Sequence, residues 1–358
     1  MFYREAGQFK TSYSADQAIF PLLQDRIGIV VILFIAFVVI PLTGNSFLLQ
    51  AMMIPFLIFS LAAIGLNILT GYTGLISLGT GAFMGVGAYA CYKLTTYFPD
   101  VNILIWVVCS GFFSAACGAL FGLPSLRIKG FYLTVATLAA QFFLSWCFIR
   151  VPWLYNKNAS GAIEVPLRTA FGIPVTGATA TPVTRYYVVL TIVVAMTWLA
   201  SNLVHGRIGR MWMAVRDMDI AAELIGIRLL PTKLLAFAVS SFYCGVAGAL
   251  LVFLWYGGAE PAVFDVNQSF FILFMVIIGG LGSLLGSFFG AALIFLLPIV
   301  LRFVPPALGF QIHSATIDHI QFLVIGGLII LFLILEPNGL ARLWSIAKQK
   351  LRVWPFPY

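Results

Sequence analysis

Charge is scarce in this chain. Asp, Glu, Lys and Arg make up 9% of its 358 residues, against about 25% in an average soluble domain. A soluble fold of this size could not clothe its surface with so few. Histidine is nearly missing: His205, His313 and His319 are the whole supply, and none stands at ligand spacing from Cys or an acid, so no metal site is expected. The five cysteines (Cys91, Cys109, Cys117, Cys147, Cys244) form no Cys-x-x-Cys pair and lie in or beside apolar runs, where they read as small buried hydrophobes. No Gly-Lys dipeptide occurs, which excludes the Gly-x-x-x-x-Gly-Lys-Ser/Thr phosphate loop. Paired carboxylates, His-Glu-x-x-His and Gly-x-Ser-x-Gly are missing as well, so a non-catalytic chain is expected. The first 26 residues hold no apolar run, which argues against a cleavable signal peptide and for a polar N-terminal arm, 1–26.

What is present is oil and glycine. The chain is 61% hydrophobic with 33 Phe and 33 Gly, and its mean hydropathy is +1.04. Phe and Leu can face outward at this density only if the outside is hydrocarbon, and frequent Gly suits helices packed closely in lipid. The fold class expected is an all-α integral membrane protein without a sizeable soluble domain. The net charge of +8 is scattered among the apolar runs. That distribution suits topology signals and a lipid environment, and no nucleic-acid partner is expected.

A span needs about 20 apolar residues. Ten candidates run over 27–43, 47–69, 74–97, 101–123, 130–149, 185–204, 234–256, 267–279, 287–304 and 318–336. The third is interrupted by Gly71, Gly74, Gly79, Gly81, Gly85 and Gly87, and the eighth is short and runs into "GGLGSLLG"; either suits a broken or re-entrant helix. With the N-terminus inside the cell, 14 of the 20 basic residues fall on the inner side and 6 on the outer side or at span ends facing it. This bias predicts both termini in the cytoplasm. Residues 150–184, rich in Pro, Gly, Thr and Ser, then form an external, periplasmic loop. Residues 205–233 form an internal loop, and 337–358 a cytoplasmic C-terminal tail. The centres of the proposed spans hold no Asp, Glu, Lys or Arg, which argues against an ion-coupled carrier. The body reads as channel-like, with its power supplied from elsewhere.

The internal loop is the exception to the shortage of charge. Its 29 residues hold 8 of the chain's 32 charged side chains. Within it, Arg216 to Arg228 is predicted to form one short helix. Ile220, Leu224 and Ile227 recur on one face, Asp217 and Asp219 fall in the first turn, Arg228 falls near the last, and Pro231 blocks continuation. Ala221 and Ala222 add helix propensity without bulk, and Gly226 leaves a notch for another backbone. Two readings stand: a helix lying in lipid headgroups, or one that inserts into a partner's groove. Mixed acids and bases with central alanines fit the groove better than the basic face of a lipid-surface helix.

The stretch "AVRDMDIAAELIGIRLLPTKLLAFAVSSFYCGVAGAL" (214–250) resembles the cytoplasmic coupling loop and following span of permeases from branched-chain amino-acid ABC importers. "GLNILTGYTGLISLGTGAFMGVGAYA" (65–90), "GGLGSLLGSFFGAALI" (279–294) and "EPNGLARLW" (336–344) resemble the two glycine-rich segments and the C-terminal end of that family, in the same order. The family often has His after Ser-Leu-Gly, whereas Thr80 follows Ser77-Leu78-Gly79 here, so no role of that histidine transfers. The resemblance implies a type II-like arrangement of about ten helices in the bacterial inner membrane. It implies a second, related permease, two ABC ATPase subunits and a periplasmic substrate-binding protein. This chain would bind no cofactor, and ATP would be used by the ATPases. Arg216, Asp217, Asp219 and Glu223 would fix the coupling helix in an ATPase groove, with Ala221, Ala222 and Gly226 allowing close approach. Branched-chain or other hydrophobic amino acids are the implied substrates, with urea, short amides and small organic or aromatic acids as alternatives. A stand-alone carrier or channel is the competing class.

Two roles stand for the first glycine segment. Gly74 and its neighbours could open a broken helix to substrate, with Asn67, Ser77 and Thr80 beside the path; or they serve tight packing and interhelical hydrogen bonding. Thr134, Thr137 and Gln141 share one face of another span and could line the same path, although structural bonding suits them better. Gly74-Leu75-Ile76-Ser77-Leu78 and Gly280-Leu281-Gly282-Ser283-Leu284 are faintly alike. An inverted repeat would put them on opposite membrane sides, but the span layout puts both near the inner side.

Overall fold

The computed structural model describes residues 11–12, 23–126, 132–156, 162–170, 172–177, 179–307, 314–336 and 338–353. Long apolar runs leave the backbone no partner in lipid but itself, so each closes its own hydrogen bonds as a helix. The helices are α1 (Asp25–Thr43), α2 (Leu48–Thr73), α3 (Thr80–Tyr97), α4 (Ile103–Ser125), α5 (Tyr132–Arg150), α6 (Pro182–His205), α7 (Arg207–Asp217), α8 (Asp219–Leu224), α9 (Leu229–Tyr256), α10 (Val266–Gly279), α11 (Leu284–Ala307), α12 (Ser314–Leu335) and α13 (Gly339–Val353). Every stretch expected to span is helical over most of its length. Seven of these helices (α1, α2, α4, α5, α6, α9 and Leu284–Leu301 of α11) are long and apolar enough to cross a membrane among the described residues; α10 is apolar but short. The chain is a helical, multi-pass membrane protein.

Helices α2 and α9 are buried along most of their length, whereas α1 is almost wholly exposed. They form the centre with α3, which crosses α9 where side chains are absent. A Cβ built on Gly87 would lie 2.1 Å from the carbonyl oxygen of Gly245, and one on Gly248 would lie 2.0 Å from that of Met84. The backbones therefore touch, as small residues permit in lipid. Wide π-turns interrupt α1 at Ile35–Val39 and open α2 at Leu48–Met53. Each comes just before a proline, Pro41 or Pro55, which lacks an N–H for the regular ladder.

One end of the bundle is closed by irregular chain. Strand β1 (Ile163–Glu164) pairs antiparallel with β4 (Gly258–Ala259), and β2 (Thr169–Ala170) pairs with β3 (Ile173–Pro174). Arg168 donates to the Thr95 carbonyl at 2.6 Å and the Pro99 carbonyl at 3.0 Å, capping the C-terminal end of α3. At the opposite end, Lys348 of α13 pairs with Asp25 of α1 at 2.5 Å, so the first and last helices meet on one face.

The expected break in the third stretch falls at its start: Gly74 takes a left-handed φ of +74° and ends α2, and the helix resumes at Thr80. One expectation is corrected here. The single helix expected over 216–228 is two pieces. Arg216 and Asp217 end α7, Met218 is extended, and α8 covers only Asp219–Leu224. Asp217 is thus in a last turn, Arg228 precedes α9, and Pro231 sits in the first turn of α9, where its missing N–H costs no helical bond.

Candidate functional site

Between α2 and α3 the chain runs non-helically from Gly74 to Gly79. Bare backbone inside a membrane bundle needs partners in the protein, and several of its groups find them here. Gly74 N–H donates to the Thr70 carbonyl at 3.2 Å and Leu75 N–H to the Leu69 carbonyl at 3.1 Å, a left-handed helix cap. The Thr134 hydroxyl donates to the Ile76 carbonyl at 3.3 Å. Leu78 N–H donates to the Thr137 hydroxyl at 3.0 Å, and Gly79 N–H to the Ser77 hydroxyl at 3.3 Å. Gly81 N–H donates to the Ser269 hydroxyl and Ala82 N–H to Gln141 Oε1, both at 2.8 Å. Gln141 also donates to the Phe264 carbonyl at 2.7 Å, and its oxygen accepts from Ser269 at 3.0 Å. The shared face of Thr134, Thr137 and Gln141 therefore points at the break. Gln141 is the midpoint of α5, so the first turns of α3 and α10 meet halfway along that helix.

The second glycine segment meets the first. Asn67 has no solvent exposure. Its Nδ2 donates to the Ser283 carbonyl at 2.8 Å and the Ser287 hydroxyl at 2.9 Å, and its Oδ1 accepts from Gly282 N–H at 2.9 Å. A Cβ on Gly71 would lie 2.2 Å from Gly282 N, and one on Gly280 would lie 2.5 Å from the Asn338 carbonyl oxygen. Both breaks and the turn into α13 thus pack together at one end of the bundle. The two alike pentapeptides are therefore neighbours in the fold.

The loop of α7 and α8 lies at this junction. Trp212 is fully buried and donates from Nε1 to the Thr232 carbonyl at 3.2 Å, fixing α7 to α9. Beyond it the chain turns outward. Met218, Ile220, Leu224 and Ile225 are 69–83% exposed, Asp217 and Glu223 stand exposed among them, and Asp219 is half-buried. The expected apolar face is present, carried mainly by residues other than Ile227. Three expected docking residues have these surroundings within the chain. Arg216 points inward: its Nη1 donates to the Gly71 carbonyl at 2.9 Å while Nε donates to Asp217 at 2.9 Å. Ala222 is buried within the chain. Gly226 has nothing within 4 Å and φ +92°, so it ends α8 by its left-handed backbone and leaves open space beside it. Asp219 pairs with Lys233 at 3.7 Å.

An open cavity of about 770 Å³ lies between break and loop, bordered by Gly74, Ile76, Thr134, Arg216, Ile220 and Leu224. Ser77 and Thr80 are buried beside it in the chain. Among the described residues, no three His, Cys, Asp or Glu side chains gather as metal ligands would. Ser269, Ser283 and Ser287, which complete the two clamps, were not anticipated. Their only signal is position, Ser283 in the repeated pentapeptide and Ser287 one turn beyond.

A bundle of apolar helices with two internally clamped breaks, beside an exposed apolar and acidic loop, is a multi-pass membrane protein of the transport type. The chain belongs to the family described as branched-chain amino acid transport system, permease component, which it matches over residues 48–333. It is 28% identical over 307 residues to the high-affinity branched-chain amino acid transport system permease protein LivM of Salmonella typhimurium, covering 79% of this chain and 68% of that one. The LivM of Escherichia coli matches with the same identity and coverage. A probable branched-chain amino acid transport permease protein LivM of Methanocaldococcus jannaschii is 24% identical over 333 residues, 82% of this chain and 93% of that one. No solved structure matches.

Proposed function

We propose that this chain is the membrane subunit of an ATP-driven importer that moves branched-chain or other hydrophobic amino acids across the bacterial inner membrane by alternating access. Family membership over residues 48–333 carries this reading. The exposed face of Met218, Ile220, Leu224 and Ile225 supports it, since four large apolar side chains beside three acids suit a protein groove better than water. In this reading 205–233 is the cytoplasmic coupling loop and 27–336 the permease domain. Both termini are cytoplasmic, and 150–184 faces the periplasm. Two ATPases dock at the coupling loops of this chain and a second, related permease, while a periplasmic binding protein delivers substrate. The path runs beside the break, with Asn67, Gly74, Ser77, Thr80 and Gln141 near it.

The test is reconstitution in liposomes with and without the partner subunits. Leucine uptake that needs ATP and a co-purifying ATPase is the expected result. Uptake by this chain alone would overturn it in favour of a self-sufficient carrier. Ligand binding by the partner periplasmic protein decides among amino acids, urea or amides, and small acids.

A further inference from the structure

We infer that Arg216 is a positioning residue that ties the coupling loop to the junction of the two glycine-rich breaks, and that it lies outside the ATPase-docking face. The inference rests on the importer reading above and deepens it.

The direction of the side chain is the first argument. Its Nη1 reaches the Gly71 carbonyl at 2.9 Å. A Cβ on Gly74 would lie 3.0 Å from its Cγ, and one on Gly282 would lie 3.3 Å from its Nη1. Arg216 therefore touches both breaks at once. Its side chain is 37% exposed, against 67% for the neighbouring Asp217. It lies along the bundle while Asp217 stands out from it.

The chemistry fits the position. Gly71 is in the last turn of α2, where carbonyls lack helical donors and the helix dipole favours a cation. A guanidinium carries five N–H donors in a rigid fork. Here Nε and Nη2 hold the Asp217 carboxylate, both at 2.9 Å, which leaves Nη1 for Gly71. Lysine, with one donor centre, cannot span both partners in this geometry.

The connectivity gives the contact its use. The body of α7 is fixed to α9 through Trp212 and Thr232. The exposed face begins at Met218, two residues beyond Arg216. A force applied to α8 can reach α9 through the Asp219–Lys233 pair and α2 through 216–218, where Arg216 is the side chain that grips α2. One turn earlier on α2, Asn67 grips Gly282 and Ser283. Motion of the loop is thereby led to both breaks together.

The test uses the complete transporter (this chain, its partner permease, the ATPases and the binding protein) in liposomes, reading substrate moved per ATP hydrolysed. In Arg216→Gln the ATPases should co-purify as in the wild type and hydrolysis should persist. Substrate moved per ATP should fall about tenfold, the loss expected for one charged, partly buried hydrogen bond acting as a coupling term. Arg216→Lys, which keeps the charge at the helix end and guards against misfolding, should fall by less. A wild-type ratio in both variants overturns the inference. So does loss of ATPase co-purification in Arg216→Gln, which would make the residue part of the docking face. Absence of any ATPase from the wild-type complex would instead sink the importer reading itself.

Discussion

Asn67 and Gly282 are 215 residues apart in the chain and joined by a 2.9 Å hydrogen bond inside the bundle. The same amide group holds Ser283 and Ser287. Removing it strands several buried polar groups at once. Asn67→Leu should lower stability by about 1–3 kcal/mol for each group left unpaired. Asn67→Asp should cost more, since a carboxylate would face the Ser283 carbonyl with no proton to give. Thermal unfolding in detergent checks both, and an unchanged midpoint in both variants would show that the clamp carries no stability.

The crossing of α3 and α9 predicts a contrast between glycines. Gly248→Ala would put a Cβ 2.0 Å from the Met84 carbonyl oxygen, whereas Gly326 has nothing within 4 Å. The first change should destabilise by about 1–3 kcal/mol or more through forced backbone displacement. The second should be neutral or slightly stabilising in its helix. Equal melting of the two variants would argue against the close crossing.

Leu224 is 83% exposed and Ile220 69% exposed, so neither contributes much to the fold of the isolated chain. Leu224→Asp and Ile220→Asp should leave its melting within about 0.5 kcal/mol of the wild type. In the importer reading they should weaken ATPase co-purification at least about tenfold, as loss of a buried apolar anchor does. Normal ATPase retention by both would place the docking surface elsewhere.

Gly226 separates shape from packing. With φ +92° and open space around it, Gly226→Ala adds strain of about 1–3 kcal/mol without a clash. It should fray the end of α8, where Ile227 N–H donates to the Ala222 carbonyl. Faster amide exchange at Ile225 to Ile227 is the expected readout, and unchanged exchange would contradict it.

Much of the fold was legible in the sequence because lipid imposes one rule on every span. Apolar runs of sufficient length become helices whatever their neighbours are, so most of the long helices could be drawn from hydropathy alone, although seven of the ten expected spans are long and apolar enough to cross among the described residues. The break was legible as glycine, and its partners as the common face of Thr134, Thr137 and Gln141. The division at Met218 was not. Apolar periodicity continues through Ile220, Leu224 and Ile227, and the pull of Trp212 on α7 is a tertiary contact that no local pattern records. The contact of Arg216 with α2 is hidden from local patterns for the same reason. A charged residue in a charged loop looks solvent-facing until the orphan carbonyl of Gly71 is seen beside it. Ala222 and Gly226 share small size, but size does not tell a buried alanine from an exposed glycine whose backbone angle ends a helix.

The accounting of hydrogen bonds around Gly74–Gly79 has a mechanical meaning. A loop whose amides face water gives way when pushed. This one has its turns at Gly74 and Leu75 locked to α2, and Leu78, Gly79, Gly81 and Ala82 locked to side chains. It behaves as a splice, a joint between two rods that passes on a thrust. Slow amide exchange at Leu78, Gly81 and Ala82, like that of the helices on either side, would be its signature.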